Sequence, residues 1–330
     1  VRHLPRMSRL GWRMARYHHL LDRLVPEVEA EVARLDAREL TSLSDKGLAS
    51  HLLDLEKVVG KIAPANIVAP LLFNAYSAIL RRRLARRGID AEAIDLGAGQ
   101  PELEAYDPTP RLRVLASRMT ELDEATQARV RAGDVELIPG MDGFLDRFGH
   151  ISDSGNDFSH VPWREDPSVL VPLLEASVPD PATTEEASLP DDLSRMDRSL
   201  LGRASRYRLE RERVSYAYAR SYGRFRAAVL EIARRLVHRE TLDEPEQAFL
   251  LSRAEMEAGL LEGRLALREL ALSRATEMDR LADVDMPEVI FGDDFEPAPP
   301  ADPEPVSYTH LTLPTITSGC GGGGWGGRCG

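Results

Sequence analysis

The chain has 330 residues, 43% apolar and only 6% aromatic, with a formal net charge of −12 at pH 7. That length can bury a sizeable core, and a composition rich in Leu, Ala, Arg and Glu favours packed helices over a strand-rich sandwich. The acidic balance argues against non-specific attraction to nucleic acid or anionic lipid, so no nucleic acid and no membrane is expected as a partner. Both cysteines, Cys320 and Cys329, lie in the Gly-rich C-terminal stretch, which leaves no disulfide framework and no thiolate metal site to argue from; metal ligands: none.

The first residues are basic (Arg2, Arg6, Arg9, Arg13, Arg16) without the apolar run of a signal peptide, and a cytoplasmic location is the expectation. From Leu4 to Leu40 apolar residues recur every three or four positions with an interruption at Pro26, predicting two helices in series or one kinked helix. Ser44 or Asp45 can cap a further helix running toward Ile62, with Leu48, Leu52, Leu55 and Val58 on one face. A third helix then carries the apolar run Ile67 to Leu80. At 14 residues with Pro70 and Asn74 inside it, that run falls short of the roughly 20 a bilayer needs and reads as a core helix.

The third helix ends in Arg81, Arg82, Arg83, Arg86 and Arg87 before Gly88. Cations in a last turn followed by glycine are a common helix stop, and the same cluster has the chemistry to hold a phosphate. Shorter helices are expected at Pro110 to Met119, Glu124 to Ala132 and Met141 to Phe148. Residues 178–192, rich in Pro, Thr, Glu and Asp, read as a linker. Leu193 to His238 then gives the densest helical signal, one long helix or two in series. Ala248 to Leu251 and Glu288 to Phe291 read as short strands, with helices at Arg253 to Leu261 and Arg264 to Leu281.

The fold class expected is therefore mainly α, an irregular multi-helix domain with a few short strands. Its domains are a helical region 1–177, the linker 178–192, a long-helix region 193–292 of the same central domain, and a tail 293–330 without stable structure.

No phosphate loop, dinucleotide fingerprint, H-E-x-x-H or G-x-S-x-G elbow occurs. One segment stands apart: Phe144 to Pro167, FLDRFGHISDSGNDFSHVPWREDP. It gathers Arg147, His150, Asp153, Asn156, Asp157, His160, Trp163, Arg164 and Glu165 in one non-periodic loop. So many hydrogen-bonding groups are costly to bury unless each is paired, so the loop is either an internal polar network or a ligand site.

The order F-L-x-R-F-G-H, an acidic and Asn-bearing turn, then P-W-R-E-x-P resembles the block in the middle region of phosphoenolpyruvate synthase-like proteins, including rifampicin phosphotransferases. Arg211-Glu212 resembles the R-E pair that opens that family's long helix, and Leu230 to Leu251 and Met286 to Gly292 are similar to its following stretches. Gln247 and the turn at Ser154 to Asp157 depart from the usual pattern. The resemblance covers roughly residues 1–295 and implies a central segment, acceptor-binding or purely a spacer, of an ATP-dependent phosphotransferase working through a phosphohistidine carrier. ATP and Mg are then expected for the parent enzyme and no cofactor for this segment, with ATP-grasp and phosphohistidine domains of the parent and a small-molecule phosphate acceptor as partners. Ser159-His160 lacks the Gly-Gly that precedes the family's carrier histidine, and His160 is not expected to carry phosphate. Val306 to Thr315, VSYTHLTLPT, resembles translated adapter read-through.

Within this resemblance His150 and Asp157 are the expected catalytic groups, able to take a proton from an acceptor hydroxyl. Asp153, Asn156, Trp163, Arg164, Glu165, Arg211 and Glu212 are the expected substrate-binding residues, Arg164 holding an anionic oxygen and Glu165 orienting the guanidinium. The competing expectation is that Arg164, Glu165, Arg211 and Glu212 form one buried ion-pair network.

Overall fold

The computed structural model describes residues 14, 16–89, 96, 100–154, 157–178, 193–263, 266–282 and 284. Among them every regular element is a helix. The helices are α1 (Tyr17–Asp36), α2 (Asp45–Ala85), α3 (Thr109–Thr120), α4 (Glu124–Arg131), α5 (Met141–Phe148), α6 (Val171–Ala176), α7 (Arg195–His238), α8 (Arg253–Glu262) and α9 (Leu267–Leu281). The mainly α expectation holds, but the few short strands do not. Ala248 to Leu251 falls in a 3-10 turn over Pro245–Leu250, started by Pro245 and fixed by a reciprocal cap between Glu244 and Gln247. The second expected strand, Glu288 to Phe291, lies outside the described residues, as do the expected linker after Val178 and the tail.

The chain divides into two units. The first takes the described residues up to Arg38 and those from Asp54 to Arg224, while the second takes Glu39–Leu53 and the described residues from Phe225 on.

In the first unit α1 is a single helix despite Pro26, with Leu21, Val25, Val28, Val32 and Leu35 buried on one face. Pro26 sits on the exposed side, where water can satisfy the carbonyl its missing N–H leaves free. The two helices expected on either side of Ile62 are likewise one: α2 runs 41 residues through Pro64 and Pro70. By length and composition α2 could cross a membrane, a test that core helices of soluble proteins also pass. Its row Leu55, Val58, Ile62, Ala65, Ala69 and Leu72 is buried.

α2 stops as expected, with Arg82 and Arg83 in its last turn and Gly88 just beyond at φ +75°, and two of the arginines at this end have a further use. Arg83 Nε and Arg87 Nη1 reach the buried carboxylate of Asp197 at 2.6 and 3.3 Å, and the Ser194 hydroxyl donates to the same group. Ser194 Oγ in turn accepts from the Asp197 amide at 3.2 Å, which starts α7.

The helices α3 to α6 arrive where sequence periodicity placed the first three, α5 at Met141–Phe148 as expected. They enclose a core of Leu112, Leu115, Val130, Ile138, Phe144 and Phe148, joined by Trp163 and Tyr216. Gly140, with φ of +93°, turns the chain into α5 beneath the Arg118 guanidinium, which donates to the Pro139 carbonyl at 2.7 Å.

In the second unit Asp45 receives Arg235 at 3.0 Å and Arg239 at 2.5 Å, and Glu231 holds Arg235 from the preceding turn at 3.0 Å. Ser252 and Glu255 cap α8 reciprocally, and Glu255 binds Arg274 of α9 at 2.7 Å.

Candidate functional site

The polar loop is built on a narrow neck. Trp163 N–H donates to the Ile151 carbonyl and Arg164 N–H to the Gly149 carbonyl, both at 2.8 Å, so residues 149–164 leave and return at one place. Gly149 is required there: a Cβ on it would strike the Leu145 carbonyl and come within 2.9 Å of Arg164 Cβ. On the facing helix, Gly223 leaves space against which His150 lies, an added Cβ meeting His150 Cβ at 3.4 Å.

His150 stands at the centre of this arrangement. Its ring meets Tyr216 edge to face at 4.7 Å, and its Nε2 is sealed from solvent with no hydrogen-bond partner. Burial first, then the positive charges of Arg220, Arg147, Arg224 and Arg164, push its pKa down to about 3, so the imidazole is neutral at physiological pH. Tyr216 donates its hydroxyl to the Arg147 carbonyl at 3.1 Å, and the Arg147 guanidinium lies over Tyr216 at 4.6 Å and over Tyr106 at 5.6 Å while donating to the Ala105 carbonyl. Arg220 and Arg224 share Asp36 of α1 at 3.1 and 2.6 Å. Arg147 has a carbonyl but no carboxylate among these contacts, so the surroundings of His150 are net cationic in a chain that is acidic overall.

The other expected residues divide. Asp157 spends one oxygen on the Ser159 amide and hydroxyl, at 2.8 and 2.7 Å, and the other lies 3.8 Å from His160 Nε2. That is a turn-forming use of the carboxylate. Asp153 is exposed, and Asn156 lies outside the described residues. Trp163 is buried against Phe144, ring centroids 6.0 Å apart, and its indole N–H has no partner. Arg164 and Glu165 are exposed; Arg164 donates to the Leu145 carbonyl at 2.7 Å and pairs with Asp146 at 3.2 Å.

The single four-residue ion network is not formed. Arg211 instead grips its neighbour Glu212, both buried, with the guanidinium also 4.7 Å from the Phe73 ring centre. Arg208 links Glu212, at 3.8 Å, to Asp107, at 3.4 Å. Burial outweighs Arg211 and raises the Glu212 pKa. Arg164 cannot join because its attachment at the neck turns it toward α5. The partners that sequence reasoning did not assign to the site, Tyr216, Arg220 and Gly223 with Arg224, fall at i, i+4 and i+7/i+8 of α7. That helical spacing marks one face and was the available signal.

Residues 64–240 match the family described as the rifampicin phosphotransferase fourth domain. The chain belongs to that family. The matched span is more than half of the chain and holds the neck, the His150 loop, Tyr216 and the Arg211–Glu212 pair, so the resemblance seen in the polar loop reflects membership of a phosphotransferase family. No curated protein matches the chain.

Proposed function

We propose that this chain is the central helical segment of an ATP-dependent, phosphoenolpyruvate synthase-like phosphotransferase working through a phosphohistidine carrier, with loop 149–164 as a wall of its acceptor site. The observation that carries this reading is the unpartnered Nε2 of a neutral imidazole. Buried polar groups are mostly satisfied, and an unpartnered one beside cationic side chains is a candidate ligand contact.

In this reading the chain around the neck shifts to uncover His150 Nε2, which then takes the proton of the acceptor hydroxyl as the P–N bond of the carrier breaks and the P–O bond forms. A base held near pKa 3 is weak at neutral pH. An incoming anionic phosphoryl group offsets the charge of the surrounding arginines, so the basicity of His150 rises as the donor arrives. Arg164 holds an anionic oxygen of the acceptor or phosphoryl group. ATP and Mg belong to the ATP-grasp domain of the parent enzyme, and the carrier histidine to its swivelling domain.

A second reading, a helical scaffold positioning those two domains, is favoured by the sealing of Nε2 and the core placement of Trp163. His150→Ala and Arg164→Lys in the full-length enzyme separate the two. Lost acceptor turnover with intact histidine autophosphorylation and unchanged melting supports the acceptor wall. Early melting with loss of every partial reaction together supports the scaffold.

A further inference from the structure

Between Ile62 and Leu80, α2 carries no charged residue, yet only one side of it is covered within the first unit. On the other side Pro64, Ile67, Leu71, Ala75 and Ala78 follow the spacing of one helix face, and all are exposed, Ile67 by 52% and Leu71 by 61%. A contiguous apolar row of this kind marks an interaction surface. Its two ends differ in charge. Toward the N-terminus it reaches Lys61, held by Glu27 and Glu31 of α1 at 3.1 and 2.6 Å, and Lys57, paired with Asp54 at 3.3 Å, so this end carries both signs. Toward the C-terminus the same face continues to Arg82 and Arg86, both exposed and without a partner among the described residues.

We infer that this face of α2 pairs antiparallel with the same face of a second copy of the chain, about a two-fold axis level with Leu72 and Phe73. Side-chain size sets the direction. On the row itself the large Ile67 and Leu71 lie on one side of that axis and the small Ala75 and Ala78 on the other, with the exposed Ile79 at the flank, so antiparallel pairing seats each large side chain of the row over a small one. Parallel pairing would stack large on large. Charge agrees: the antiparallel arrangement brings the mixed-charge end of each copy, with Glu27 and Glu31, to the Arg82 and Arg86 end of the other, whereas a parallel one sets arginines against arginines. Asn74, exposed beside the row and close to the axis, can bond its amide to that of the other copy, the polar contact that fixes register in helix pairs.

Sedimentation velocity of the 330-residue chain across the micromolar range tests the pairing, with Cys320→Ser and Cys329→Ser as background. A concentration-dependent dimer is expected, and Leu71→Asp should be monomeric with an unchanged helical circular dichroism spectrum. Asn74→Cys should form a disulfide-linked dimer. Ile67→Cys should not, because the two positions lie roughly 16 Å apart along the helices at 1.5 Å per residue. A monomer at every concentration, a dimer that survives Leu71→Asp, or cross-linking through Ile67→Cys would overturn the proposal. So would a monomer that binds uncharged phosphatidylcholine vesicles through this face.

Discussion

The imidazole of His150 meets the phenol of Tyr216 edge to face, planes at 89° and centroids 4.7 Å apart, and beyond Tyr216 stands the Arg147 guanidinium. The ring is thus buried and surrounded by cations, both of which disfavour its protonation. The folded pKa, about 3, lies below the ordinary value of 6.5, so between those limits the unfolded chain binds more protons. Stability contributed by neutral His150 is fully present above pH 6.5 and is lost as pH falls toward 3. His150→Gln should flatten the pH dependence of urea unfolding across that window. An imidazole that titrates near 6.5 by NMR in the folded protein would show that the ring is not enclosed.

How much of this was legible in the sequence differs between elements. The helix Met141–Phe148 could be read directly and the cap narrowed to Ser44 or Asp45, of which the structure uses Ser44, because period and capping chemistry are local. The merging of α2 through Pro64 and Pro70 could not: proline disfavours helix locally, and the buried row from Leu55 to Leu72 that overrides it is a tertiary effect. The density of polar residues from Phe144 to Pro167 located the candidate site, and His150 lies at its centre. The pairing of Arg164 with Asp146 rather than with Arg211's neighbour depended on the neck hydrogen bonds at Gly149 and Ile151, which no spacing in the sequence announces.

Gly149 is the position where that neck tolerates no side chain. Gly149→Ala would push a methyl into the Leu145 carbonyl and Arg164 Cβ, and either α5 or the returning strand of the loop must shift. A loss of about 1–3 kcal/mol is expected from overpacking of this kind. Chemical denaturation measures it, and a variant as stable as the parent would mean the neck opens easily.

Asp197 ties two distant stretches, Arg83 and Arg87 of α2 and Ser194 ahead of α7, and the Ser194 hydroxyl together with Arg83 holds its carboxyl below the usual range. Asp197→Asn keeps a side chain that Ser194 can bond but removes the charge that two arginines share. Its melting temperature should fall by several degrees at low ionic strength, and added salt should narrow the gap because the arginines are partly exposed. A gap that does not respond to salt would assign the loss to the cap alone.

The last expectation concerns Glu255, whose carboxylate serves the α8 cap and the Arg274 ion pair together. Arg274 first, then the Ser252 amide, lower its pKa to about 2 from an ordinary 4.5. Because the folded value is the lower one, this contact contributes stability above pH 4.5 that is lost as pH falls through 2. Glu255→Gln separates the two roles, since glutamine retains the reciprocal cap with Ser252 but cannot ion-pair. Thermal melting of the second unit should therefore drop in the variant at pH 7, by a few degrees at most given the partial exposure of both partners. Near pH 2 wild type and variant should converge, because protonated Glu255 and glutamine then present Arg274 with the same neutral acceptor. An offset that stays constant from pH 7 to pH 2 would place the effect in packing around α8 and α9 and not in the charge.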